Sequence, residues 1–275
     1  MRCSVLLAGA TATLILAGPI MVSRAAADYV DICVHGTGDE QIASCTAAIQ
    51  SSRWSGKNLA WAHFNRGFAY RAKGDNDSAI ADYSEAIRLD PRYSKAYGNR
   101  GNAYRAKGDY DRAVADYDQA IKIGSNEVQF DYNNRGLAYA DKGDLDRAIA
   151  DYSEAIRLDP KYGAAYNNRG DAYKAKGEID RAIADYSEAI RLVPNNFSYV
   201  RDRGNALYLA GKYDLAIADY DKLIQFDPKA GDGLYGRGMA KLKKGDNAGG
   251  NADIAAAKDL EVDIAEQFAK YGIKS

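Results

Sequence analysis

The chain has 275 residues, with 37 Lys and Arg against 38 Asp and Glu, so its formal net charge is −1. A balance this even creates no field that would steer it to nucleic acid or to an anionic membrane surface. Five prolines and 21 tyrosines stand out because most of them recur at one phase.

Residues 1–27 read as a secretory signal peptide. Arg2 gives a positive start, Cys3 to Val22 carries no charge, and Ala25-Ala26-Ala27 offers an A-x-A cleavage pattern before Asp28. The alternative is an uncleaved membrane anchor, because about 20 apolar residues can span a bilayer. Pro19 and the many small residues favour cleavage. The mature chain is then expected outside the cytosol, in the periplasm if the cell is bacterial, with no stable membrane insertion. No other segment could cross a membrane.

Cys3 leaves with the leader, and Cys33 and Cys45 remain. In an exported chain this pair is expected to form a disulfide. The rival is a metal site of Cys33, His35 and Cys45, which lacks an evident fourth ligand. No metal and no cofactor are expected. Residues 28–59 read as a capping hairpin. Tyr29 to Val34 is a short first helix, Gly38 to Ile49 a second, and the two cysteines tie them together.

From residue 60 the chain copies itself. Glycine followed two and three residues later by Ala and usually Tyr recurs at Gly67, Gly101, Gly136, Gly170, Gly204 and Gly238, a spacing of 34 residues with one of 35. Within one copy, Trp61 to Lys73 has spaced apolar residues and helix formers, and Gly74-Asp75 breaks it. Asp77 to Leu89 then carries Ala79, Ile80, Tyr83, Ala86, Ile87 and Leu89 on one stripe. Pro91 ends it, since proline cannot continue a helix. The unit is helix, turn, helix, stop. Gly67, Ala69, Ala79 and Ala86 let the two helices approach, and Tyr70 and Tyr83 fill the remaining space. One hairpin leaves an apolar face bare, so copies must stack.

Asn65-Arg66-Gly67 with Ala69-Tyr70, Lys73-Gly74-Asp75, Ala79-Ile80-Ala81-Asp82-Tyr83 and Ala86 to Pro91 resemble the tetratricopeptide repeat family. The resemblance implies an all-α, right-handed superhelical solenoid of stacked helix-turn-helix hairpins. The copies are expected at 60–93, 94–128, 129–162, 163–196, 197–230 and, worn, 231–261. In the last, Gly250 replaces the packing alanine and Ile254 the tyrosine. Residues 262–275 are expected to form a capping helix, with Asp263, Glu266, Gln267 and Lys270 facing water. The second copy has one inserted residue and Gly124-Ser125 in place of Asp-Pro, which predicts a slightly loosened joint.

No catalytic constellation is present, so no enzyme is expected. His35 and His63 neighbour no plausible nucleophile, and the glycines sit at turn or packing phase. Two polar ladders recur. Arg66, Arg100, Arg135, Arg169, Arg203 and Arg237 precede each glycine, and Asp82, Asp116, Asp151, Asp185, Asp219 and Asp253 follow it by fifteen residues. These are expected to pair within or between hairpins; the rival is an anion-binding row of Arg. The second ladder is Asn65, Asn99, Asn134 and Asn168, continued by Asp202. It resembles the asparagine row of the repeat arm in O-GlcNAc transferases, where stacked amides could hold a peptide backbone.

The family's inner surface implies further groove residues: Trp61, Phe64, Phe68 and Arg71, then Lys95, Asn102 and Arg105, then Phe130, Arg201, Asn205 and Tyr208. The three aromatics of the first copy either open the groove or lie under the N-terminal hairpin. The set of Lys, Asn and Arg that grips the acidic tails of cytosolic chaperones is missing. The expected function is a non-enzymatic scaffold binding a peptide or protein in a concave groove. The alternative is an envelope assembly part that uses its convex face or edges. The partner and the oligomeric state are left open.

Overall fold

A computed structural model describes residues 29–273, so the leader expected at 1–27 lies outside the described residues. Every regular element among them is a helix. The chain divides into two compact units, one ending at Pro91 and one beginning at Arg92.

The first unit holds α1 (29–35), α2 (Gly38–Gln50), a short 3-10 turn (Gly56–Leu59), α3 (Ala60–Ala72) and α4 (Asn76–Leu89). Helix α3 packs on both α2 and α4. Cys33 and Cys45 are joined by a disulfide, their Cα atoms 4.7 Å apart. Both cysteines are fully buried. Their sulfurs are bonded to each other, so the rival metal site with His35 has no thiolate to offer.

The second unit is built from five hairpins and a last helix. The hairpins are α5 (Ser94–Ala106) with α6 (Tyr110–Ile123), α7 (Val128–Asp141) with α8 (Leu145–Leu158), α9 (Gly163–Ala175) with α10 (Ile179–Leu192), α11 (Phe197–Leu209) with α12 (Tyr213–Phe226), and α13 (Gly231–Lys243) with α14 (Asn247–Leu260). Helix α15 (Ile264–Lys270) follows. The second helix of each hairpin packs on the first helix of the next, and consecutive first helices also touch. Their exposed sides therefore form one first-helix face.

Local chemistry sets the helix ends. Gly74, Gly108, Gly143, Gly177, Gly211 and Gly245 make the turns at φ between +71° and +89°, where a side chain would be strained. Asp75, Asp109, Asp144 and Asp246 then accept the N–H three residues on and cap the second helix. Such a cap contributes about 1 kcal/mol. Glu178 and Lys212 hold the same place before α10 and α12 and make no cap bond.

The core of every hairpin but the worn one is a tyrosine laid on a glycine. Tyr83, Tyr117, Tyr152, Tyr186 and Tyr220 are fully buried. A methyl group on Gly101, Gly136 or Gly170 would stand 2.7–2.8 Å from the facing ring. The small residue thus makes room for a specific ring as well as for the backbone. In the worn copy, a methyl group on Gly238 would stand 2.8 Å from the Gly250 carbonyl, so two glycines keep the helices close without the ring.

The Arg and Asp ladders pair inside each hairpin. Each Asp accepts two bonds from its Arg, one from Nε and one from Nη2, at 2.7–2.8 Å in all six copies. The remaining Nη1 reaches the preceding second helix: Arg66 to Thr46, Arg135 to Asp118, Arg169 to Ser153, Arg203 to Ser187 and Arg237 to Asp221. One guanidinium thus stitches three helices, and the row does not present free cations. The pairs differ electrostatically. Burial opposes the Asp82 charge, yet bonds from His63 and Arg66 hold its pKa below the usual carboxylate value. Burial pushes Asp151 up despite Arg135, helped by the nearby Asp118 charge.

The extra residue of the second copy lies in α7, which is one residue longer than α5 or α9, while the joint 124–127 is as long as 159–162. Gly124 accommodates φ +77° and returns its N–H to Ala120. The terminal helix does more than cover the last edge. Helix α15 turns onto the first-helix face and packs chiefly on α13. Phe268 lies 4.8 Å from the Tyr235 ring, and Lys174 of α9 stands 5.8 Å from the Tyr271 ring. Ile264, Phe268 and Ile273 are fully buried, while Asp263, Glu266 and Lys270 face water and Gln267 is half-buried.

Candidate functional site

In the first unit, Trp61, Phe64, Phe68 and Arg71 fall at helical spacing on one side of α3. Trp61 meets Trp54 edge-on at 5.4 Å, and Tyr29 meets Trp54 at 6.4 Å, so the N-terminal segment covers part of this stripe. Phe64 packs on Tyr83 at 5.7 Å. Phe68 remains 44% exposed, with the Arg71 guanidinium 5.5 Å from its ring centre. Asn65 is half-buried beside them. His63 meets Asp82 at 3.0 Å, but both are buried inside the hairpin with Arg66.

In the second unit, most polar side chains of the first-helix face already have partners. Lys95 pairs with Glu127 at 3.3 Å, and Arg105 with Asp141 at 2.6 Å. Asn99 donates to the Lys95 carbonyl of its own helix. Asn102 accepts from the Tyr117 hydroxyl, and Asn168 donates to Asn133. Asn134 is half-buried. The asparagines therefore do not form a continuous ladder of free amides. Phe130 is 40% exposed and meets Tyr162 edge-on at 5.0 Å.

Towards the C-terminus this face closes. Asn205 is 0% exposed and holds the Tyr220 hydroxyl at 2.8 Å, and Tyr208 is 7% exposed in the core with Tyr235, Met239 and Phe268. Neither lines an open groove: Tyr208 packs in the cluster that holds Phe268 of α15 and Ile273, and Asn205 is turned onto Tyr220. Arg201 is half-buried between Asp202 at 3.2 Å and Asp232 at 3.7 Å. Burial pushes Asp202 up, and the Asp171 charge adds to it.

A second concavity escaped the sequence reading. Ile190, Pro194, Phe197, Val200 and Phe226 line a groove of about 460 Å³ between α10, α11 and α12. Phe197 and Phe226 stack at 3.8 Å, and Phe226 is 68% exposed. Phe226 in place of the usual Leu was the available signal. Among the described residues, no group of three or more His, Cys, Asp or Glu could hold a metal ion. No helix among them is long and apolar enough to cross a membrane.

Comparison with known proteins matches these features. Tetratricopeptide repeat models match residues 64–128, 167–231 and 201–260, and a further TPR repeat model matches 136–177. A tetratricopeptide repeat protein from Parabacteroides merdae ATCC 43184 aligns over 92% of this chain and 97% of its own, at 20% identity and a TM-score of 0.63. Pseudomonas aeruginosa pilF aligns over 77% of this chain and 97% of its own, at 18% identity and a TM-score of 0.65. A thermophilic TPR protein from Thermus thermophilus aligns over 66% and 99%, at 22% identity and a TM-score of 0.53. At such identities the likeness speaks for the fold alone. No curated protein matches the chain. With repeat models covering more than half of its length, the chain belongs to the tetratricopeptide repeat family.

Proposed function

We propose that this protein is a non-enzymatic scaffold that holds a peptide or protein segment on its first-helix faces, in an exported and oxidising compartment. The repeat fold is that of a protein-interaction scaffold. The observation that carries the finer reading is the exposure of Phe68 and Phe130 on first helices, where neighbouring side chains at inner positions are paired or packed. Exposed aromatics are typical energetic anchors of an interface. The Cys33–Cys45 bond and the leader motif support export.

A photo-crosslinker placed at 68 and at 130 in the native cell tests this, with Asp146 on a second helix as control. One partner captured at both faces, and lost from the Phe68→Ala/Phe130→Ala chain, supports the reading. Equal capture at 146 overturns it. The exposed Phe226 groove favours a second reading, assembly through the outer edge. That reading predicts capture at 226 and none at 68 or 130.

A further inference from the structure

Two successive joints of the second unit carry polar side chains at the same pair of places, three and two residues before the repeat glycine. Between α7 and α9 they are Asn133 and Asn168, and Asn168 Nδ2 donates to Asn133 Oδ1 at 2.8 Å. Between α9 and α11 they are Asn167 and Asp202. In the joints on either side one of the two places is a glycine, Gly98 or Gly236. Asp202 thus stands where a donor amide stands one joint earlier, and a carboxylate has no N–H to give.

The consequence is visible in the bonds. Asn167 is 8% exposed, and its Oδ1 is buried without a hydrogen bond. Its Nδ2 lies 3.5 Å from Asp171 Oδ2, on its own helix. Asp202 is 7% exposed. Arg201 reaches it with Nε and Nη2 at 3.3 and 3.2 Å, both on Oδ1, and among the described residues no bond falls on Oδ2. A buried acceptor without a donor is costly, and one proton on Asp202 removes the fault, because a neutral carboxyl donates one O–H.

The surrounding charges support the neutral form. Asp171 and Lys174 act on Asp202 from α9, and Tyr186 of α10 stands near it with its hydroxyl given to Asp171. On α11 itself Tyr199 and Arg201 are close, and Arg201 is shared with Asp232 of α13 and feels Tyr271 after α15. From α12, Asp219 and Tyr220 are engaged by Arg203 and Asn205. Burial raises the Asp202 pKa most and the Asp171 charge adds to it, while Arg201 and Lys174 offset only part.

We propose that the joint between α9 and α11 is a proton-operated clasp: Asp202 carries a proton on Oδ2 and donates it to Asn167 Oδ1, completing the rung that Asn168 makes to Asn133 with an amide. Losing the proton sets a carboxylate against an amide oxygen and loosens the joint. An amide rung has no such response, so one Asp in a row of asparagines makes this joint sensitive to acidity. The clasp does not depend on what the first-helix face binds. The folded pKa lies above the unfolded 3.8, so the stabilisation is fully present below pH 3.8 and is lost as pH rises through the folded pKa.

Carbon-13 NMR of the carboxyl groups in the full chain tests this, the Asp202 signal being assigned by its loss in Asp202→Asn. Its midpoint is expected above 3.8. Asn167→Leu keeps the volume and the burial but removes the acceptor, and is expected to lower the midpoint by about half a unit or more. Burial acting alone predicts no change or a rise. Amide exchange in α9 and α11 is then compared between pH 4 and pH 8, corrected for its intrinsic pH dependence. Both chains compared carry Asp131→Asn, so that the titration of Asp131 in α7 does not enter. Protection is expected to fall about tenfold or more when Asp202 is present, and to hold in Asp202→Asn, which restores an amide rung. A circular dichroism melt checks that each variant folds, and if Asn167→Leu does not, the exchange comparison decides alone. A midpoint at or below 3.8, a midpoint unchanged or raised in Asn167→Leu, or equal pH responses with and without Asp202 would each overturn the clasp.

Discussion

Arg169 grips Asp185 through two parallel bonds of 2.8 Å, one from Nε and one from Nη2. The carboxylate side chain is 10% exposed and the guanidinium side chain 19%. A pair this dry is worth more when broken than when formed, because removing one partner strands the other. Arg169→Gln is expected to cost about 2–4 kcal/mol in urea unfolding, near the range for stranding a buried charge. Replacing both residues with apolar ones of similar volume, Arg169→Met with Asp185→Leu, is expected to recover most of that loss. A double replacement as damaging as the single one would show that the pair stabilises the fold outright.

Caps give a smaller and cleaner effect. Asp144 accepts the Arg147 N–H at 3.1 Å, so Asp144→Ala should lower stability by about 1 kcal/mol. Glu178, at the matching place before α10, makes no such bond. Glu178→Asp shortens the side chain to cap length and is expected to raise the melting temperature by a degree or more. A lower melting temperature would mean that its ion pairs with Lys176 and Arg181 outweigh the cap.

Much of this architecture was readable from phase alone, because each copy must satisfy the same packing as its neighbours. The glycine at Gly170 announces a close approach, and Tyr186 sixteen residues on supplies the ring that needs it. The Arg169–Asp185 pair was readable for the same reason. Its third bond, to Ser153, was not assigned, although Ser153, Ser187, Asp118 and Asp221 recur at one phase. Sequence spacing shows that a polar residue recurs, but not which helix it faces across a stack. Asn205 and Tyr208 were misplaced for a different reason. Tyr208 is buried in the cluster that holds Phe268 of α15, a helix outside the repeat whose docking place no periodicity encodes, and Asn205 is turned inward onto the Tyr220 hydroxyl.

Docking by α15 has a consequence for stability. Phe268 is fully buried against Tyr235, so Phe268→Ala should cost about 3–5 kcal/mol locally. In a stacked repeat such losses stay near the affected unit. Hydrogen exchange should therefore quicken in α13, α14 and α15 and remain unchanged in α5 and α6. Uniform loss of protection along the chain would show that the second unit unfolds as one cooperative block.

Asp131, in the first turn of α7, has no cation beside it. Burial raises its pKa to about 7, and the Glu127 charge adds to the effect. Its carboxyl also faces Gly98, where a methyl group would stand 2.8 Å from Oδ1, so this corner has little room to admit a compensating side chain. The sign follows from linkage. The folded pKa lies above the unfolded value of 3.8, so folding favours the protonated acid. The stability this group supports is fully present below pH 3.8 and is lost as pH rises towards 7. Asp131→Asn, which mimics the neutral form, is therefore expected to stabilise the chain by about 1 kcal/mol or more at pH 8. The gain should shrink as the pH falls and vanish near pH 4. Calorimetric melts of both chains from pH 4 to pH 8 check this, and a gain that does not change with pH would mean the effect comes from packing instead of from the charge.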